Sequence, residues 1–159
     1  MDSLASQVVE TLKRRRETVA FCESLTAGLA AATVATVPGA SAVLRGGLVT
    51  YATEVKSHFL HVPLEQLEER GVVSASTAQE MAVAAARETG ADWAVSLTGV
   101  AGPDTQEGKP AGTVFVGIVG PSVEPTAIQT EHLSGSRDEI RTGAVAAALS
   151  LLLSTLEEN

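Results

Sequence analysis

The stretch Thr18-Val-Ala-Phe-Cys-Glu-Ser-Leu-Thr-Ala-Gly28 constrains the fold of this chain more than any other. Its first half is apolar and β-branched, as in a buried strand, and it breaks into Glu-Ser-x-Thr-x-Gly, a turn sequence. An Ala-rich helical run over residues 25–37 follows directly and stops at Pro38-Gly39. A buried strand feeding a helix requires a sheet with helices packed on it. The same turn puts the Ser24 hydroxyl at the carboxyl end of a strand, beside N–H groups that lack intrahelical partners. Two readings fit these residues. Ser24 is a nucleophile with backbone oxyanion donors, or it is a helix cap with Gly28 as a packing residue.

The rest of the chain alternates in the same way. Residues 3–16 carry Leu4, Val8 and Leu12 on one helical face and end in Lys13-Arg-Arg-Arg16. Those cations suit the last turn of a helix, where they complement its dipole. Strands are expected over 18–23, 46–52, 93–97, 113–119 and 126–133, and a helix over 53–61. A short acidic segment over 63–71 ends at Gly71, a C-cap. Capping boxes at Ser76-Thr-Ala-Gln79 and Ser136-Arg-Asp-Glu139 open two further helices, the first stopped by Gly90. Helices alternate with strands first, and then Gly120-Pro121 joins two strands directly. The pattern predicts an α/β fold: one domain over residues 1–159, a three-layer α/β/α sandwich with a mixed, mostly parallel sheet.

Apolar residues are 45% of the chain but aromatics only 3%, so Ala, Val and Leu must fill the core. A net charge of −8 argues against nucleic acid or an anionic membrane surface as partner. It leaves room for a small phosphorylated ligand held by local cations. The single cysteine, Cys22, excludes an internal disulfide and fits a reducing compartment. There is no basic and apolar leader pattern, and charged, Gly or Pro residues interrupt each apolar stretch, so a cytoplasmic protein is expected.

Four polar constellations end or follow the strands. They are Glu23, Ser24 and Thr26; Thr50-Tyr-Ala-Thr-Glu-Val-Lys56; the Gly-rich loop from Thr98, Gly99 and Gly102 to Gly112; and Ser134-Gly-Ser-Arg137 with Arg141 one turn on. Ligands of α/β sheets gather at the carboxyl ends of strands. Brought to one edge, these four supply a nucleophile, an amine base, an anion cradle and cationic anchors. Each also has a plainer reading: a surface lysine, a simple turn, arginines paired with nearby acids. His58, His61 and His132 lack metal-ligand spacing, so no metal and no cofactor is expected. Alternation along the strand sets Cys22 opposite Phe21 and Glu23, as a buried structural thiol.

Taken together, the motifs resemble the CinA carboxy-terminal domain family, whose single-domain members include a nicotinamide mononucleotide deamidase. The family's Ala-Glu-Ser-Cys-Thr-Gly-Gly stands here as Cys22-Glu-Ser-Leu-Thr-Ala-Gly28, and its Thr-Tyr-Ser-Asn-x-x-Lys as Thr50-Tyr-Ala-Thr-Glu-Val-Lys56. Its Ser-Gly-Ile-Ala-Gly-Pro-x-Gly-Gly loop becomes Thr98-Gly-Val-Ala-Gly-Pro-Asp-Thr-Gln106, and its Ser-Gly-x-Arg becomes Ser134-Gly-Ser-Arg137. Leu25, Ala27, Thr53 and Thr105-Gln106 depart from the pattern, so the nucleophile and base are kept while the ligand-facing loop is altered. Two-domain members also carry a nucleotide-pyrophosphatase-like domain upstream, an activity not expected of these residues.

The resemblance implies hydrolysis of the carboxamide of nicotinamide mononucleotide. Ser24 would attack, Lys56 would act as base, and Tyr51 would bridge the amine and the hydroxyl. An ordinary lysine, with a pKa of about 10.4, is neutral about once in a thousand molecules near neutral pH, so Lys56 must be perturbed. Glu23 would face the pyridinium cation, with Thr26 close by. Arg137, the Gly99 and Gly102 turn and, more weakly, Arg141 would hold the phosphate, and Thr98 the ribose or carboxamide. The alternatives are a pyridine-nucleotide-binding module without catalysis and an amidohydrolase for another small amide. The small-residue helix surfaces suit a homodimer.

Overall fold

The computed structural model describes residues 2–159. In chain order it contains α1 (Asp2–Arg15), β1 (Val19–Glu23), α2 (Leu29–Ala35), a 3-10 turn (Ala40–Ala42), β2 (Leu44–Val49), α3 (Thr53–Leu60) and α4 (Leu64–Arg70). It continues with α5 (Ala75–Thr89), β3 (Trp93–Gly99), β4 (Val114–Gly120), β5 (Val123–Gln129) and α6 (Arg137–Glu158). The sheet order is β2-β1-β3-β4-β5. β1 runs parallel to both β2 and β3, while β4 is antiparallel to β3 and to β5. Four strands therefore point one way and β4 alone runs against them, as helical crossovers followed by hairpins require.

Side-chain alternation divides the core in two. Val19 and Phe21 of β1 join Trp93, Val95 and Leu97 of β3 beneath α1, α2 and α6, whereas Ala20, Cys22 and Ala94 face α3, α4 and α5. This is the three-layer sandwich expected from the sequence. The basic end of α1 is structural: Arg15 pairs with Glu17, donates to Leu156 O and lies over the Trp93 ring.

Boundaries differ where tertiary contacts override local signals. α5 is capped by Ser74, which accepts from Thr77 N, and not by a box at Ser76. β5 begins at Val123 because an edge strand tolerates Pro125. α2 starts only at Leu29, since Ala27 and Gly28 adopt left-handed backbone with φ of 49° and 101°. A further correction concerns α6, which forms one unbroken helix. By length and composition it is long and apolar enough to cross a membrane, which the sequence expectation had excluded. Here it buries Ile140, Ala144, Val145, Ala148, Leu149, Leu152, Leu153 and Leu156 in the core.

Helix α5 approaches the sheet tightly at Gly117 in β4. A Cβ there would sit 2.3 Å from Ala78 O of α5 and 2.5 Å from Ser96 Oγ. Ser96 Oγ donates to Ala78 O and accepts from Gly117 N, tying α5 to the sheet. Gly117→Ala is expected to destabilise the fold by about 1–3 kcal/mol through overpacking. Urea unfolding would show this as a lower midpoint at constant slope, and an unchanged midpoint would mean that α5 slides freely.

Candidate active site

The turn after β1 is built by Glu23. Its carboxylate, 1% exposed, accepts from Thr26 Oγ1 (2.7 Å), Ala30 N (2.8 Å) and Ala31 N (3.1 Å). It thereby occupies the start of α2, where the helix dipole favours an anion. Two expectations are corrected here: Glu23 and Thr26 are spent on the fold and do not line the cleft. The capping alternative for Ser24 also fails, because the N-cap position is Gly28, without a side-chain cap. Ser24 N extends the β1–β3 ladder by donating to Leu97 O at 2.9 Å, which leaves the hydroxyl free.

That hydroxyl meets Lys56. The first turn of α3 carries the lysine back beneath the end of β2, where its Nζ lies 2.8 Å from Ser24 Oγ, 2.5 Å from Thr50 O and 3.1 Å from Tyr51 O. Burial pushes the amine down from 10.5 to about 8, opposed by the negative charge of the Cys22 sulfur when it is ionised and by that of the Glu107 carboxylate. About one molecule in five then carries a neutral amine at pH 7.4. A neutral amine has two N–H donors, which match the two carbonyls, and one lone pair, which is left for the serine proton.

The pair opens into a cleft of about 380 Å³. Ser24, Leu25, Lys56, Val72, Val73, Thr98 and Gly102 line it as buried residues, and the exposed Tyr51, Asp104, Thr105, Gln106 and Arg137, with Thr53 and Gly99 half-buried, complete it toward its mouth. Arg137 donates to Gly102 O and, at 2.9 Å, to Tyr51 Oη, joining three loops across the opening. Tyr51 is 54% exposed and its hydroxyl faces Arg137, so the expected bridge to Ser24 and Lys56 is not made; only its carbonyl reaches the amine. Thr98 lines the cleft but donates its proton to Val72 O at 2.9 Å, leaving its oxygen only as an acceptor. Arg141 is corrected too. It donates to Leu25 O and Thr26 O behind the Ser24 turn and does not line the cleft.

Sequence reasoning missed Glu107, Val72 and Val73. The Glu107 carboxylate accepts from Val72 N (2.8 Å) and Val73 N (3.0 Å), docking the 103–112 loop on the cleft wall. Gly71, with φ of 89°, makes room, since a Cβ there would lie 2.8 Å from Glu107 Oε1. The only local hint was Glu107-Gly108 between Gln106 and Lys109, which close a tight turn. Cys22 is buried against Thr50, and burial raises its thiol to about 11, as expected of a structural cysteine.

A three-layer α/β domain with a buried serine–lysine pair at the strand ends is the class defined by this fold and site. The chain belongs to the CinA C-terminal domain family, whose model matches residues 1–156. It is 50% identical over 155 residues to a Streptococcus pneumoniae protein named competence-damage inducible protein, a match that covers 97% of this chain and 37% of that protein. The chain thus spans little more than a third of that relative's length. Among solved structures, the CinA superfamily protein of Klebsiella pneumoniae 700603 superposes with a TM-score of 0.93 at 29% identity, over 99% of this chain and 98% of that one. The competence/damage inducible protein CihA of Agrobacterium tumefaciens gives 0.91 at 32% identity, over 98% and 94%.

At pH 8 the Cys22 thiol is protonated, so Glu107 is the anion that favours charged Lys56. Glu107→Gln should therefore move the Lys56 titration midpoint below about 8, as read by NMR of lysine-labelled protein. A midpoint at or above the wild-type value would contradict this electrostatic link.

Proposed function

We propose that this protein hydrolyses the carboxamide of nicotinamide mononucleotide to nicotinate mononucleotide and ammonia, without metal. The observation that carries the proposal is the 2.8 Å contact between Lys56 Nζ and Ser24 Oγ, with the amine buried and its pKa lowered. Such a pair does acyl-transfer chemistry at neutral pH. Ser24 Oγ attacks the carboxamide carbon while Lys56 takes its proton. The oxyanion is held by the N–H of Leu25, a cleft-lining residue whose N–H has no acceptor among the described residues. Lys56 returns the proton to the departing ammonia, leaving a nicotinoyl ester on Ser24. Water, deprotonated by the same amine, then cleaves the ester.

The rest of the cleft suits a zwitterionic nucleotide. Arg137 sits at the mouth, where it can exchange the Gly102 carbonyl for a phosphate. Asp104, also at the mouth, takes the part first expected of Glu23, as a carboxylate near the pyridinium cation. Thr98 Oγ1 can accept from the carboxamide or a ribose hydroxyl.

Ammonia release from nicotinamide mononucleotide tests the proposal. Wild type should turn over equally with and without chelator, and Ser24→Ala should lose about a thousandfold or more in kcat. Because the base must be neutral, kcat/KM should rise with pH through about 8 and then level off. Full activity in Ser24→Ala would refute the serine mechanism. Binding without turnover in the wild type would identify a nucleotide-recognising module instead.

A further inference from the structure

Arg141 was expected at a phosphate, yet it faces the other way. It lies one turn into α6, 116 residues from the nucleophile turn in sequence, and its Nε donates to Leu25 O at 3.0 Å. One terminal nitrogen donates to Thr26 O, also at 3.0 Å, and the other lies 3.6 Å from the Asp138 carboxylate. The guanidinium fork therefore grips two consecutive carbonyls of the turn from behind.

The N–H side of the same turn is unspent. Leu25 is 4% exposed and Thr26 is fully buried, yet neither N–H has an acceptor among the described residues. Buried N–H groups without partners are rare in native folds, because each costs free energy comparable to a lost hydrogen bond. In a trans peptide the carbonyl and the N–H point in opposite directions. Gripping Leu25 O from α6 therefore turns the Thr26 N–H away from α6. Ser24 and Leu25 line the cleft, whereas Thr26 and Arg141 do not. The Leu25 N–H is set by its own carbonyl partner, as Ser24 O accepts from Ala27 N at 3.1 Å.

We propose that Arg141 is the positioning residue of the oxyanion site: by clamping the Leu25 and Thr26 carbonyls, it fixes the turn so that the unpaired Leu25 N–H is presented to the oxygen that becomes charged when Ser24 attacks. The inference rests on Ser24 as the nucleophile but not on the identity of the amide. The fork holds the two carbonyls through two nitrogens of one rigid plane, whereas a lysine would have to hold both from a single nitrogen on a flexible stem. Its positive charge also offsets carbonyl dipoles that would otherwise oppose a nearby oxyanion.

The test reads serine reactivity directly. A fluorophosphonate forms a bond from Ser24 Oγ to phosphorus and loses fluoride, with the serine proton passing to Lys56; intact-mass spectrometry follows the adduct. Arg141→Met should react about tenfold to a hundredfold more slowly than wild type, with Arg141→Lys in between and Ser24→Ala inert. Turnover of the amide should lose kcat in the same order with KM nearly unchanged. Where Arg141→Met fails to fold, Arg141→Lys decides, provided its thermal unfolding midpoint matches wild type. Wild-type reactivity in the folded variant, or a loss confined to KM, overturns the clamp while leaving the nucleophile in place. An inert wild type overturns the nucleophile and the clamp together.

Discussion

The site depends on one buried amine. Lys56 Nζ sits among three oxygens from two separate turns of the chain: the Ser24 hydroxyl after β1, and the consecutive Thr50 and Tyr51 carbonyls after β2. Removing a lysine from water is costly, and the cost falls on its charged form. The fold must therefore hold β1, β2 and the start of α3 firmly enough to keep that amine enclosed. It does so by ending two adjacent parallel strands at the same level, so that Thr50 N can donate to Glu23 O and continue the ladder past the last paired residues.

Around this centre, charged side chains work on backbone. Glu23 holds the N–H groups that open α2, Glu107 holds those of Val72 and Val73, and Arg141 holds the carbonyls of Leu25 and Thr26. Glu23 thus caps a helix, while the contacts of Glu107 and Arg141 are charge-assisted bonds to loops that have no regular secondary structure to stiffen them. A cleft wall made of turns gains its rigidity this way. Arg137 is the exception: it spans the mouth between Tyr51 and Gly102, where a ligand can compete for it.

The elements and the serine–lysine pair were legible because both are periodic or terminal features. A β-branched run ending in Glu-Ser, and a lysine one turn into a helix after a second strand, fall at the same sheet edge in any parallel arrangement. The direction of each polar side chain was not legible. Glu23, Thr26 and Arg141 stand in the motifs beside Ser24 and Arg137, and sequence gives proximity to the cleft without saying which side of the turn they take. Tyr51 failed for the same reason, since its carbonyl and its hydroxyl point to different partners. Glu107 could not be found at all, because its partners are backbone N–H groups some 35 residues away, which leave no side-chain signature.

The lone reversed strand has a further consequence. Because β4 returns antiparallel beside β3, the connection between them must begin and end at the cleft, and it is sealed at its base by Val100 N to Thr113 O and Gly112 N to Val100 O. Residues 103–110 thus form a closed appendage whose length and composition can change without shifting the register of any strand. Edits to that one loop can reshape the cleft wall while the serine and lysine, fixed on the parallel side of the sheet, keep their places, provided that Glu107 keeps its hold on Val72 and Val73.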